Sequence, residues 1–162
     1  MRRAEPRDVP RLAQLHAEAM KAGMALGAAA ETNLEALHRT ALAEAGRVVL
    51  VAEQEADVLG MAHLAPSTAA NARHRAEVQR VAVAESARGS GVGRQLLEAI
   101  EAEAVQRDIS LLWLTTHDRA EACAFYESAG YTQLGVMPDY SQRPDGTLWP
   151  AAFYYKVLRG SS

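Results

Sequence analysis

The chain has a single cysteine, Cys123, in 162 residues. No intramolecular disulfide can form, so the fold has to rest on a packed core. No apolar run approaches the length of a membrane span. The N-terminus has no apolar core of a secretory signal. A cytoplasmic location is therefore the expectation, with no membrane partner. The net charge is -3, and nothing in it argues for a nucleic-acid surface. Arg2, Arg3, Arg7 and Arg11 cluster at the start, but Glu5 and Asp8 lie among them, which reads as a solvated face. The five histidines follow no ligand spacing, so no metal is expected. There is no internal repeat, linker or composition break, and residues 1–162 read as one domain.

What is present is one organising stretch, Val81 to Leu97. A β-type run ends at Val83. Glycines follow at alternate positions, Gly89, Gly91 and Gly93, and then Val92, Leu96, Leu97 and Ile100 recur at helical spacing. A strand, glycine loop and helix leave several backbone N–H groups free at the positive end of the helix dipole. That arrangement suits a phosphate or pyrophosphate. Arg88 and Arg94 flank the loop and could meet the same charge. The bland alternative is a helix start where glycine serves only the turn. A P-loop is excluded, because Arg94-Gln95 stands where Lys-Ser/Thr is required. The dinucleotide fingerprint is excluded too, because Arg94 occupies the place of its third glycine.

Elsewhere the pattern predicts a short strand at Met1–Ala4 and a helix opened by Asp8 as cap with Pro10 in its first turn. Val9, Leu12, Leu15, His16 and Ala19 form its apolar stripe. Gly23 and Gly27 interrupt the pattern, and a second helix is expected over Leu34–Ala45, capped by Thr32 or Asn33 and stopped by Gly46. Arg47–Glu53 and Val58–Ala65 read as a hairpin. His63, on its second strand, reads as a satisfied or half-exposed strand histidine. In Ala76–Val83 the apolar phase slips between Val78 and Val81. A β-bulge there would put Val78, Val81 and Val83 on one face. Ile109–Thr115 reads as a buried strand, parallel to the one before the glycine loop. Asp118 opens a capping-box-like helix that runs to Gly130. Tyr131–Val136 is a strand, Pro138–Pro150 a loop with a turn at Pro144-Asp145-Gly146, and Ala151–Leu158 the last strand. Tyr140 and Trp149, in the late loop, either line an acceptor pocket or close a dimer contact.

Arg88-x-x-Gly91-x-Gly93 resembles the coenzyme A loop of the GNAT superfamily of N-acetyltransferases. Ala122-x-x-Phe125-Tyr126-x-x-x-Gly130-Tyr131 is similar to that family's second signature. One departure is Arg119, where the family often has asparagine. Within the family, Arg75-Ala76-Glu77-Val78-Gln79 and the tail around Tyr140 and Phe153-Tyr154-Tyr155-Lys156 look like the tabtoxin-resistance type of small-molecule acetyltransferase. Those relatives can carry an acid where this chain has Thr115-Thr116-His117.

The resemblance implies an α/β fold. Its sheet is mixed, mostly antiparallel, six- to seven-stranded and splayed between strands four and five, with about four helices. It implies acetyl-CoA as co-substrate, held by Val81, Ala82, Val83, Arg88, Gly89, Ser90, Gly91, Val92, Gly93 and Arg94. It implies Glu77 as general base and Tyr126 as general acid. It implies a small-molecule amine as acceptor, such as an amino-acid-like toxin or antibiotic, and leaves a homodimer open. A protein acetyltransferase and a coenzyme A-binding regulator without chemistry are the alternatives.

Overall fold

The computed structural model describes residues 1–23, 33–143 and 145–158. Gly27, Thr32 and Pro144, named above, lie outside them. The strands are β1 (Arg2–Arg3), β2 (Val48–Gln54), β3 (Asp57–Pro66), β4 (Arg75–Val83), β5 (Leu111–Thr116), β6 (Thr132–Gln142) and β7 (Leu148–Val157). The helices are α1 (Val9–Lys21), α2 (Leu34–Ala43), α3 (Val92–Val105) and α4 (Ala120–Ser128). The strands make one sheet in the order β1-β2-β3-β4-β5-β7-β6. Among the described residues only β4 and β5 run parallel, across the crossover through α3. The mixed, mostly antiparallel sheet agrees with the expectation.

Alternation along the strands divides the core. Leu50, Leu64, Val78 and Leu112 pack with Leu96, Leu97 and Ile100 of α3 and with Tyr126 of α4. Val49, Val51 and Met61 pack on the other face with Leu12, Leu15 and Ala19 of α1. Each fully buried leucine here stabilises the fold by roughly 2 kcal/mol. Gly60 allows α3 to approach: a Cβ there would lie 2.9 Å from both the Ala82 oxygen and Leu96 Cδ1.

The bulge lies where the apolar phase slips. Met61 pairs with Ala82 and His63 with Gln79, so β4 spends one extra residue over that interval. Arg80 takes the strain at φ +51. Val81 and Val83 thereby pack against the same cluster as Val78. Asn33 caps α2 by accepting the Ala36 N–H at 3.0 Å.

Five local expectations are corrected. Asp8 does not cap α1 with its side chain. It accepts from the Arg2 guanidinium at 2.8 and 2.9 Å and from the Glu5 N–H at 2.7 Å. Arg2, which also reaches Glu53 at 2.9 Å, therefore pins β1 rather than joining a solvated face. Asp118 does not open α4; Arg119 is the N-cap, without a side-chain cap bond. His63 is fully buried, not half-exposed, and its Nε2 has no hydrogen-bond partner among the described residues. The late loop is much shorter than expected. β6 runs on to Gln142 and β7 begins at Leu148, so Tyr140 and Trp149 are strand residues. Pro138 is tolerated because β6 is an edge strand. It also advances four residues from Met137 to Ser141 while β7 moves two from Ala151 to Trp149, leaving Pro150 opposite the irregularity.

Candidate active site

The β4–β5 pairing ends at Glu77–Trp113. Beyond that rung the two strands diverge, because β4 bulges at Arg80 and β5 goes on to pair with β7 alone as far as Thr116–Ala152. A cavity of about 510 Å³ fills the gap. Val81, Ala82 and Val83 form one wall and Thr116 the other. Ala19 of α1 closes one face, and Phe125 and Tyr126 of α4 close the other.

The glycine loop forms the mouth. Gly91 sits at φ +90 as N-cap of α3, with no side chain capping the helix. The first bond of the α3 ladder runs from the Gln95 N–H to the Gly91 oxygen at 3.0 Å. The amides of Val92, Gly93 and Arg94 precede that ladder and are free to donate. Gly89 and Gly91 have open space where a Cβ would stand. A Cβ at Gly93 would instead come within 3.1 Å of the Phe125 ring. Gly93 is thus needed for the close approach of α3 to α4, which the loop motif alone does not reveal. The donor set fits a diphosphate: uncapped amides at a helix start, with Arg88 and Arg94 lining the same mouth.

Of the residues named from sequence, Val81, Ala82, Val83, Arg88, Gly89, Gly91, Gly93, Arg94 and Tyr126 all line this cavity. Ser90 and Val92 belong to the loop but not to the lining. The Ser90 hydroxyl donates back to the Ala87 oxygen, and Val92 packs toward the core. The two arginines are partly committed. Arg88 Nε donates to the Val83 oxygen at 3.3 Å. Arg94 Nη2 donates to the Ser128 oxygen at 2.7 Å, tying α3 to the end of α4.

Glu77 lies outside the cavity lining, on the last paired rung and on the sheet face opposite Ala76 and Val78. Its Oε2 accepts from Gln79 Nε2 at 2.7 Å, and Gln79 Oε1 accepts from Arg47 Nη1 at 2.7 Å. The Gln79 amide is oriented by both bonds. Burial raises the Glu77 carboxyl above the ordinary glutamate value, against the opposing pull of Gln79, Arg47 and Arg80. Such a carboxylate accepts a proton more readily near neutral pH. Tyr126 is buried, and burial holds its phenol well above the usual tyrosine range, so it stays protonated. It can donate but not titrate at neutral pH.

Three contributors escaped the sequence reading. Arg47 and Arg80 lie 33 residues apart and meet only through the β2–β3–β4 meander. The third is a buried stack of His16, His38 and His63. His16 Nδ1 lies 3.2 Å from His38 Nε2, and the His38 and His63 ring centres are 5.4 Å apart. On the β7 side, Arg143 and Arg119 lie 4.1 and 5.3 Å from the Trp149 ring. Among the described residues no group of three or more His, Cys, Asp or Glu is placed to hold a metal. No helix among them is long and apolar enough to cross a membrane.

A cavity through a splayed parallel pair, with an uncapped glycine loop at its mouth, is the architecture of acetyl-group transferases. Residues 11–131 match the family described as "Acetyltransferase (GNAT) family", and the chain belongs to it. A ribosomal-protein-alanine N-acetyltransferase from Brucella melitensis has a similar solved structure. Its TM-score is 0.85 at 30% identity, covering 97% of this chain and 98% of that one. A phosphinothricin acetyltransferase from Sinorhizobium meliloti, solved with acetyl-CoA, shares the fold. There the TM-score is 0.83 at 19% identity, over 99% and 89% of the two chains. An IAA acetyltransferase from Azospirillum brasilense is 35% identical over 96 residues, 59% of this chain. The chain spans under two thirds of the curated relatives it matches. The share is 61% for the Azospirillum protein and 18% for a mouse N-alpha-acetyltransferase 80.

Proposed function

We propose that this chain transfers the acetyl group of acetyl-CoA to the amine of a small molecule by direct attack. The observation that carries the proposal is the cavity through the β4–β5 gap. It has free amides at its mouth, Tyr126 in its wall and a half-buried carboxylate at the rung where it begins. The amides of Val92, Gly93 and Arg94 bind the diphosphate and aim the thioester into the gap. Glu77, directly or through a water, takes the proton that the attacking ammonium must lose. A main-chain N–H beside the Arg80 bulge, near Val81, meets the developing oxyanion. The Tyr126 hydroxyl donates to the departing thiolate. Most of the acceleration comes from holding amine and thioester together.

Thiol release from acetyl-CoA across a panel of amines tests the assignment. Tyr126→Phe and Glu77→Gln are each expected to lower kcat about 100-fold, the typical worth of a positioned acid or base. Wild-type rates in both variants would remove these roles.

A second reading is N-terminal acetylation of a protein, supported by the likeness to the Brucella enzyme over nearly the whole chain. Turnover of Ala-initiated peptides above all small amines would select it. Exposed Leu134, Val136, Met137 and Tyr140 on the edge strand β6 support a homodimer through that strand.

A further inference from the structure

Glu77 and Gln79 alternate with Val78 on β4 and so share one face of the sheet. Gln79 pairs with His63 and is the last residue of β4 in register before the bulge. Its amide can face only one way. Arg47, the residue before β2, brings Nη1 to 2.7 Å from Gln79 Oε1. A guanidinium has donors and no acceptor, so the amide oxygen must point at it. The NH2 group is thereby turned to Glu77 Oε2, also at 2.7 Å. Arg47 is fixed in turn by Glu44, which accepts from its Nε at 2.6 Å. The Arg47 side chain is 10% exposed, and away from bulk water each bond of such a row polarises the next.

The consequence falls on the two oxygens of Glu77. Gln79 has only N–H to offer Oε2, and a proton there would set hydrogen against hydrogen. Oε1 accepts no hydrogen bond among the described residues. A proton lost by an attacking amine therefore ends on Oε1: the N–H bond breaks and the Oε1–H bond forms.

We infer that Gln79 and Arg47 are positioning residues for the base, holding Glu77 by Oε2 and leaving Oε1 to take the proton. The inference rests on the reading of Glu77 as the base in acetyl transfer. The same row favours the ionised carboxylate. Gln79 and Arg47 oppose the effect of burial on Glu77, and Arg80 acts with them. The neighbouring histidines of α1, α2 and β3, His16, His38 and His63, are held low by burial and carry no charge near neutral pH. Glu44 is tied to Arg47, and Trp113, opposite on β5, has no charge to add. Removing the Gln79 donor leaves burial less opposed, so the carboxyl protonates at higher pH.

The test follows the rising limb of kcat/KM against pH, with one amine throughout, in wild type, Gln79→Met, Gln79→Glu and Arg47→Met. Gln79→Met keeps the length and removes the donor. Its limb should rise by about one pH unit, the lower end of what a hydrogen bond to a charged group is worth. Gln79→Glu keeps the shape and the Arg47 bond but sets one carboxylate against another, and should raise the limb at least as far. Arg47→Met frees the amide to turn and should raise it by a smaller step. A limb that stays in place or moves down in both Gln79 variants overturns the inference, and one unmoved in Arg47→Met removes Arg47 from it. The carboxyl ¹³C signal of Glu77, assigned by its loss in Glu77→Gln, gives the same comparison without turnover. Its titration midpoint should rise in Gln79→Met and Gln79→Glu. Should Glu77→Gln keep wild-type rates, the base assignment fails separately, and an unmoved ¹³C midpoint would still overturn the hold of Gln79 on the carboxylate.

Discussion

Acidification should destabilise this chain well before its carboxylates protonate. His16, His38 and His63 form a buried stack joining α1, α2 and β3. Burial holds His16 and His38 down at about 4, from an ordinary 6.5, with Arg80 pushing the same way, and His63 well below its ordinary value. The folded chain keeps these rings neutral, whereas the unfolded chain protonates them near pH 6.5. Their stabilisation is therefore complete above pH 6.5 and is lost as the pH falls toward 4. At pH 5.0 each ring has lost about 1.5 pKa units of preference, or about 2 kcal/mol at 1.36 kcal/mol per unit. Water at the edge of the stack and local relaxation reduce the sum to about 2–4 kcal/mol in all.

The surroundings leave this window clear. Asp8 and Glu53 are held below their ordinary values by Arg2, so their losses come at lower pH. Glu77 is raised by burial and works the other way, gaining a little stability as it protonates. Urea unfolding at pH 7.5, 6.5 and 5.0 measures the effect in wild type and His38→Leu. Wild type should lose about 2–4 kcal/mol, and the variant at least about 1 kcal/mol less. A flat wild-type profile, or an equally steep variant, would refute the reasoning.

Other perturbations read other parts of the structure. Gly60→Ala drives a Cβ into the Ala82 carbonyl and Leu96 at 2.9 Å; thermal unfolding should show a loss of about 2 kcal/mol or more. Asp8→Ala strips the Arg2 guanidinium of two bonds and the Glu5 N–H of one; the urea midpoint should report about 2–4 kcal/mol. Gly93→Ala presses on the Phe125 ring at the mouth of the cavity. Its acetyl-CoA affinity should fall about tenfold, near 1.4 kcal/mol, with little change in Tm. The rising limb of kcat/KM against pH should lie above the ordinary glutamate range, because Glu77 is raised, and should vanish in Glu77→Gln.

The parts of this chain set by local pattern were legible. The α3 stripe, the Asn33 cap and the phase slip that marks the bulge all follow from periodicities of two and 3.6. The glycine loop was legible because free amides and positive-φ glycines leave a local signature. What was illegible depends on pairing across distance. Arg2 reads as a surface charge until β1 pairs with β2 and delivers it to Asp8 and Glu53. His16, His38 and His63 look unrelated because their spacing follows no motif; only the packing of α1 and α2 on β3 stacks them. Pro138 and Pro150 suggest a loop until the edge position of β6 and its irregularity opposite β7 remove the need for their missing N–H groups.

The central claim is that the amides opening α3 hold the diphosphate of acetyl-CoA at the mouth of the β4–β5 gap. Amide ¹H–¹⁵N spectra recorded during an acetyl-CoA titration test it most directly. The largest shifts should fall on Gly91, Val92, Gly93 and Arg94 and should be reproduced by coenzyme A. Saturable binding that leaves those four signals in place, or no binding at millimolar ligand, would contradict the account.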